Sequence, residues 1–140
     1  MKECLEVFSY IKSDVARRQI LEHEGECYDQ YVFRALYSNE ITVGDFIPSI
    51  FDMRATRKKG YNPDSPGSYS VSLFPSLDVY RLKCDASKGF RTSHPAVAVG
   101  KTSLLRGYSC RDNDIHVSYF LYDYEDNSPA EDFKIKVVGE

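Results

Sequence analysis

Three predicted strands each carry a polar side chain that is suited to chemistry. Residues i and i+2 of a strand share a face, so Arg34 in YVFRALY lies on the same face as two aliphatic residues. Ser70 and Ser72 share one face of YSVSLF, and His116 in DIHVSYFLY lies opposite its aliphatic neighbours. This spacing is equally consistent with one polar cleft and with separate solvent-facing positions.

The first two of these strands suit an anionic or sugar ligand. A strand arginine such as Arg34 can hold an anion through paired hydrogen bonds. The Ser70 and Ser72 hydroxyls can bind a ribose or a phosphate. The alternatives are an internal ion pair or a half-exposed position for Arg34, and an ordinary exposed strand face for the two serines.

The third strand suits proton transfer. A strand histidine such as His116 can act as a general acid or base, although a lone histidine is more often structural. The chain has 11 Tyr and 8 Phe but no Trp, so tyrosine hydroxyls are expected to rim the core or line a pocket. We therefore take His116 as the candidate catalytic residue, and Tyr69 and Tyr119 as further candidate ligand contacts.

Motifs that would specify a cofactor or a metal are missing from the sequence. It contains neither G-x-x-x-x-G-K-[ST] nor G-x-G-x-x-G, and neither serine lies in a G-x-S-x-G elbow. There is no C-x-x-C pair, no two histidines have metal-site spacing, and the acidic segment DYEDNSPAED lacks the glycine of a calcium loop. No metal is predicted, and the cofactor stays unknown.

Composition restricts the location and the partners of the protein. The net charge of -3, with a single dense basic stretch in MRATRKKG, argues against nucleic-acid binding. No run approaches the roughly 18 apolar residues of a membrane helix, and the N-terminus has no continuous apolar core of a signal peptide. We expect a cytoplasmic protein without membrane contact, in which Cys4, Cys27, Cys84 and Cys110 are free thiols.

Apolar periodicity and turn residues predict the helices and loops. An amphipathic stripe predicts a helix over residues 2–22, and a short helix is expected around 43–47. Ser76 suits the N-cap of another short helix in SLDVYRLKC, with Asp78 in its first turn. Residues 53–68 carry two prolines, two glycines and several charges, which predicts a mobile loop. A second loop is predicted in DASKGFRTSHP.

Five strands are predicted, over residues 30–37, 69–74, 96–105, 114–122 and 132–138. Gly100 is expected to be a bulge or a point of close backbone approach. The order of elements predicts one α+β domain spanning 1–140, with an N-terminal amphipathic helix and a five-stranded, mostly antiparallel or mixed sheet carrying one or two short helices.

The order of these segments resembles the fold of ADP-ribosyltransferases. A strand arginine, Arg34 in FRAL, is followed by the paired serines of YSVSLF, a helix and a late polar strand. The similarity covers roughly residues 31–122 and rests on very short motifs. It implies that Arg34 and the serine strand help to hold NAD, and that a glutamate or a substitute on the late strand completes the site. This chain has no E-x-E pair there, and His116 occupies the late strand instead.

These patterns are consistent with three hypotheses about function. The absence of a specific catalytic motif and the tyrosine enrichment favour a non-catalytic binding or accessory module that contacts a protein partner or a second copy of the chain. The alternative is a small enzyme using NAD or another nucleotide, with Arg34 as anion clamp, Ser70 or Ser72 as ribose contacts and His116 as acid or base. A third and weaker hypothesis is RNA binding by the loop containing Arg54 and Lys59.

Overall fold

The computed structural model describes residues 29–52, 69–121 and 128–136. The strands are β1 (Tyr31–Leu36), β2 (Val71–Leu73), β3 (Ala96–Lys101), β4 (Gly107–Asn113), β5 (His116–Leu121) and β6 (Phe133–Lys136). The helices are α1 (Leu77–Ala86) and α2 (Lys88–Ser93), and three short 3-10 turns span Val43–Phe46, Ser49–Phe51 and Pro129–Asp132. The predicted helix over 2–22 and the predicted mobile loop over 53–68 lie outside the described residues.

Two antiparallel sheets, each with three strands, form the described part of the chain. Their orders are β1-β3-β6 and β2-β5-β4, so the predicted five-stranded sheet is wrong. The missed strand is β4, whose sequence GYSCRDN alternates apolar and polar residues over only four positions, 108–111, and is otherwise glycine and polar residues. It forms because its backbone pairs with β5 from Gly107 opposite Leu121 onward.

The hydrophobic core lies between the two sheets. One face of each sheet contributes to a single cluster, which contains Val32, Leu36, Phe46, Val71, Leu73, Ala98, Val117, Tyr119, Leu121 and Phe133. Strands β1 and β5 contribute alternate residues to this cluster, Val32 and Leu36 from the first and Val117, Tyr119 and Leu121 from the second, because alternate side chains of a strand share a face. Removing this apolar surface from water is the main favourable contribution to packing the sheets together.

The two helices cover the other face of the first sheet. Helix α1 begins after Ser76, whose Oγ accepts a hydrogen bond from the backbone N–H of Val79 at 3.2 Å, which confirms the predicted N-cap. Helix α2 was predicted as a loop; it begins after Ser87, which caps it in the same way through Phe90. Apolar side chains of both helices pack on Phe33, Ala35 and Val97, namely Leu77, Tyr80, Cys84 and Phe90. Within the described ranges no helix has the length and apolar character needed to cross a membrane.

The two sheets share one isolated backbone bridge. Phe33 and Phe74 exchange two hydrogen bonds, from Phe33 N to Phe74 O at 2.9 Å and from Phe74 N to Phe33 O at 2.8 Å. Beyond this bridge β1 continues in the first sheet and β2 in the second. We call the gap that opens there the split between the sheets.

A buried polar network joins the first sheet to β4. Gln30 donates from its side-chain amide to the Ser109 hydroxyl at 3.2 Å, and from its backbone N–H to the Thr102 hydroxyl at 2.9 Å. The hydroxyls of Thr102 and Ser109 lie 2.8 Å apart. Both hydroxyl residues are buried, and satisfying such groups with one another avoids the cost of leaving them without partners.

Gly100 is a point of close approach between β3 and β6. A Cβ atom at this position would lie 2.5 Å from the Asp132 carbonyl oxygen and 2.6 Å from Cγ of the Phe133 ring. The absence of a side chain therefore lets Phe133 pack over the strand and enter the core. This agrees with the expectation that Gly100 marks close approach.

We expect Gly100→Ala to lower the free energy of unfolding by about 1–3 kcal/mol, because the added methyl displaces Phe133 from the core. The matched control is Gly89→Ala in α2, where the nearest side-chain atom to a new Cβ is 3.9 Å away. That change should be neutral or stabilise by up to about 1 kcal/mol. Urea denaturation of both variants makes the comparison, and equal stability of the two would contradict the assigned role of Gly100.

Candidate functional site

The guanidinium of Arg34 lies in the split between the sheets. If β1 and β2 continued to pair beyond Phe33 and Phe74, Ala35 would lie opposite Ser72. Instead, Arg34 Nη1 donates a hydrogen bond to the Ser72 carbonyl at 2.9 Å, and its Nε donates to the Asp45 carbonyl at 2.7 Å. One side chain thus supplies donors to two carbonyls, one of which belongs to the second sheet.

The segment after β1 is folded around the carboxylate of Asp45. This carboxylate accepts hydrogen bonds from the backbone N–H of Tyr37 at 3.1 Å and of Thr42 at 2.8 Å, and from the Thr42 hydroxyl at 3.0 Å. Asp45 is only 1% exposed, so each bond replaces one that water would otherwise make. The carboxylate holds the turn Val43–Phe46 in place. The backbone carbonyl of Asp45, within this turn, thereby faces Arg34.

A second buried carboxylate lies near the same arginine. The Tyr37 hydroxyl donates to Asp52 Oδ2 at 2.9 Å, and Asp52 is buried. The Arg34 guanidinium carbon is 6.0 Å from the centroid of the Tyr37 ring, which is at the limit of a cation–π contact. Arg34, Tyr37, Asp45, Asp52 and Ser72, which we call the Arg34 cluster, form one polar group at the split.

Two opposing effects act on the charge of Arg34. Burial lowers the pKa of the guanidinium, because it removes water from the charged form. The neighbouring groups Tyr37, Asp45 and Asp52 act in the opposite direction and raise the same pKa. An arginine keeps its charge in proteins, so the buried carboxylates are partly balanced by a cation held among them.

His94 also borders this cluster, although the sequence placed it in a loop before Pro95 and gave it no role. It is buried, and its ring lies 4.3 Å from the Phe90 ring and 4.8 Å from the Tyr37 ring, measured between centroids. Its Nδ1 is 3.0 Å from the Phe90 carbonyl, four residues earlier. The sequence signal for this position is the spacing of four residues between Phe90 and His94, which brings two side chains together at the end of a short helix.

The Ser72 hydroxyl and His116 share one face of the second sheet, the face turned away from the core. Ser72 pairs with Ser118, and Ser118 pairs with Cys110 on β4, so these three side chains lie on one face. His116 is two residues before Ser118 and therefore joins them. His116 is half-buried and Ser118 is buried. The structure thus adds Ser118 and Cys110 to the polar positions that the sequence selected.

Cys110 takes part in a disulfide bond, and its partner lies outside the described residues. The expectation that all four cysteines are free thiols is therefore wrong for Cys110, whereas Cys84 is free. Sequence spacing cannot show this pairing, because a disulfide depends on the separation of the two residues in space.

The two candidate tyrosines and Ser70 occupy other environments. Tyr119 is fully buried and pairs with Val71 on the core face, opposite to the face of Ser72. Its hydroxyl accepts a hydrogen bond from the Ser103 N–H at 3.0 Å, and burial raises the pKa of this phenol to about 12. Tyr69 and Ser70 are buried just before β2, and the Ser70 carbonyl accepts a hydrogen bond from the Ser49 N–H at 3.1 Å.

The candidate residues meet only in part. Arg34 contacts Ser72 through the carbonyl, while the Ser72 hydroxyl lies on the face that carries His116. Ser72 and His116 are diagonal neighbours on adjacent strands, a relation that separates positions by roughly 7–8 Å. Within the described residues no group of three or more His, Cys, Asp or Glu side chains is placed to hold a metal.

Comparisons with protein-family models, with curated proteins and with solved structures give no match.

We expect Arg34→Ala to lower the free energy of unfolding by at least about 2 kcal/mol. It leaves two carbonyls without their donors and two buried carboxylates without a nearby cation. Arg34→Lys should restore only part of this loss, because a single ammonium lacks the fixed fork of the guanidinium. Urea denaturation gives the values, and the control is Arg111→Ala on β4, an exposed arginine that should change stability by less than about 0.5 kcal/mol. A loss at Arg34 no larger than at Arg111 would show that the cluster does not hold the sheets.

We expect stability to fall as the pH rises from about 10, the pKa of an unfolded tyrosine, to about 12, the pKa of folded Tyr119. The folded state keeps the Tyr119 proton over this interval while the unfolded state loses it, so ionisation favours unfolding. Tyr119→Phe should reduce the slope of stability against pH in this interval, and absorbance at alkaline pH should show one fewer late-titrating tyrosine. A slope that is unchanged in Tyr119→Phe would contradict the assignment.

Proposed function

We propose that this chain is a non-catalytic binding module that acts through contacts with another protein. The observation that supports this proposal most is the set of hydrogen bonds made by the Arg34 guanidinium. The side chain best suited to bind a substrate anion directs Nε and Nη1 to two backbone carbonyls of its own chain. It thereby joins the two sheets, which is a structural role.

Exposed apolar side chains support contacts with a partner. Leu105, in the turn between β3 and β4, is 91% exposed, and its neighbour Leu104 is also exposed. Tyr31, at the start of β1, is 71% exposed. Tyrosine is enriched among the residues that contribute most of the binding energy at protein interfaces, and covering exposed leucines removes apolar surface from water.

A small enzyme that uses NAD or another nucleotide is the second candidate. The observation in its favour is the shared face of Ser72, Ser118 and His116, next to the strand edge that Arg34 reaches. Two hydroxyls and an imidazole on one face suit a ribose and a proton-transfer step. The resemblance to ADP-ribosyltransferases concerns the same strands.

The Cys110 disulfide bears on the location of the protein. Disulfides persist mainly in oxidising compartments, so this bond favours such a compartment over the cytoplasm that the sequence suggested. Non-reducing electrophoresis of protein trapped with a thiol-alkylating reagent at cell lysis shows whether this bond is present in the cell, and a fully reduced Cys110 would contradict an oxidising compartment.

A thermal shift experiment with NAD and a panel of nucleotides decides between the two functions. A nucleotide at about 100 times its Kd would stabilise the native state by about 2.7 kcal/mol. For a binding module we expect no shift with any nucleotide. A shift in the wild type that is lost in both Ser72→Ala and His116→Ala, but kept in the exposed control Ser93→Ala, would instead establish the nucleotide site and overturn our proposal.

A further inference from the structure

Positive charge is concentrated on one face of the first sheet. Lys136 pairs with Val97, Lys134 with Val99, and Lys101 with Tyr31, so these side chains share one face. Val97 packs against the helices, which places the lysines on the helix-bearing side. We call Tyr31, Lys101, Lys134 and Lys136 the basic face.

The helices beside this face are basic as well. Residues 77–93 contain four basic and two acidic side chains, and all four basic residues are exposed, namely Arg81, Lys83, Lys88 and Arg91. Residues 77–93 and the three strand lysines together carry a net charge of +5, whereas the whole chain has a net charge of -3. The other residues of the sequence therefore carry a net negative charge.

Carboxylates of the described residues do not neutralise the strand lysines. Asp132 directly precedes β6, but Arg106 binds its carboxylate and also lies 3.8 Å from a carboxylate oxygen of Glu131. Among the described residues, no carboxylate lies within 4 Å of any of the three strand lysines. Lys101 instead places its ammonium 5.6 Å from the centroid of the exposed Tyr31 ring.

The basic face also includes the edge of a sheet. Strand β6 ends the order β1-β3-β6 in the described part of the chain, and Lys134 and Ile135 are exposed. A sheet edge can pair with an extended segment of another protein, with side-chain spacing of two residues giving specificity. Lys134 and Lys136 have this spacing, and they disfavour pairing with a second β6, because like charges would face each other.

We propose that β6 and the basic face bind an extended acidic segment of a partner protein, which adds as a strand beside β6. Acidic side chains at alternate positions of that segment face Lys134 and Lys136, and Lys101 and the helix residues supply longer-range attraction. The proposal rests on the proposed function as a binding module, and it specifies the chemistry of the partner. A sheet edge favours a polypeptide over a nucleic acid, since a nucleic acid offers no strand to pair.

The test uses a fluorescein-labelled peptide in which glutamate and threonine alternate, with binding followed by fluorescence anisotropy. We expect the wild type to bind this peptide and to lose affinity as ionic strength rises to about 0.15 M and beyond. Lys134→Glu and Lys136→Glu should each weaken binding about threefold to tenfold, whereas Arg111→Glu on the other sheet should leave it unchanged. Circular dichroism confirms that each variant is folded.

Three further probes separate strand addition from general attraction of opposite charges. A peptide of the same composition with all glutamates in one block should bind more weakly, and so should the alternating peptide with N-methyl groups along one backbone edge. A single-stranded oligouridylate of equal charge should also bind more weakly. Absence of binding, equal binding of the N-methylated peptide, equal loss in Arg111→Glu or tighter binding of the oligouridylate would each overturn the proposal.

These outcomes are distinguishable from failure of the proposed function. A nucleotide-induced thermal shift that depends on Ser72 and His116 would overturn the proposal that the chain is a binding module. It would leave the measured affinity of β6 for the peptide unaffected. If only the peptide fails to bind, the proposal of an acidic partner segment is wrong. The conclusion from the nucleotide thermal shift is then unchanged.

Discussion

The hydrogen bonds of the Arg34 guanidinium, made where two sheets part, are the interaction on which the described structure depends. Backbone pairing between β1 and β2 stops after Phe33 and Phe74, so carbonyls beyond that point need other donors. The rigid, planar guanidinium supplies one such donor to the Ser72 carbonyl of β2, and it supplies a second donor to the Asp45 carbonyl in the turn after β1. The Phe33–Phe74 bridge and Arg34 together let β1 and β2 diverge into different sheets. The carbonyls of Asp45 and Ser72 still have hydrogen-bond donors.

The same arrangement explains why buried carboxylates are tolerated nearby. Asp45 and Asp52 are both buried, and a buried charge is expensive unless it is hydrogen-bonded and paired. Asp45 accepts three hydrogen bonds from Tyr37 and Thr42, and Arg34 partly balances the charge of the two carboxylates. An arginine placed in this way stabilises the fold, and so the surface features of the chain, especially its basic face, become the better guide to its function.

Local signals predicted the elements that form from local interactions. Ser76 was predicted as an N-cap and caps α1, and the alternation in β5 correctly separated His116 from Val117. Strand β4 and helix α2 were missed, because GYSCRDN and KGFRTS carry little periodicity of their own. The first is stabilised by pairing with β5, and the second by packing Phe90 against Phe74 and Tyr80.

The sequence by itself determined which residues share a strand face, because that depends only on the alternation of side chains along an extended backbone. It therefore showed that Arg34 accompanies Val32 and Leu36, and that polar residues cluster on YSVSLF. Only the tertiary structure decided that Arg34 meets the Ser72 carbonyl, that the strands divide into two sheets, and that Lys101 joins Lys134 and Lys136. Contacts of this kind join residues distant in sequence, so they are selected by the packing of the whole core and by strand register, which short-range patterns do not specify.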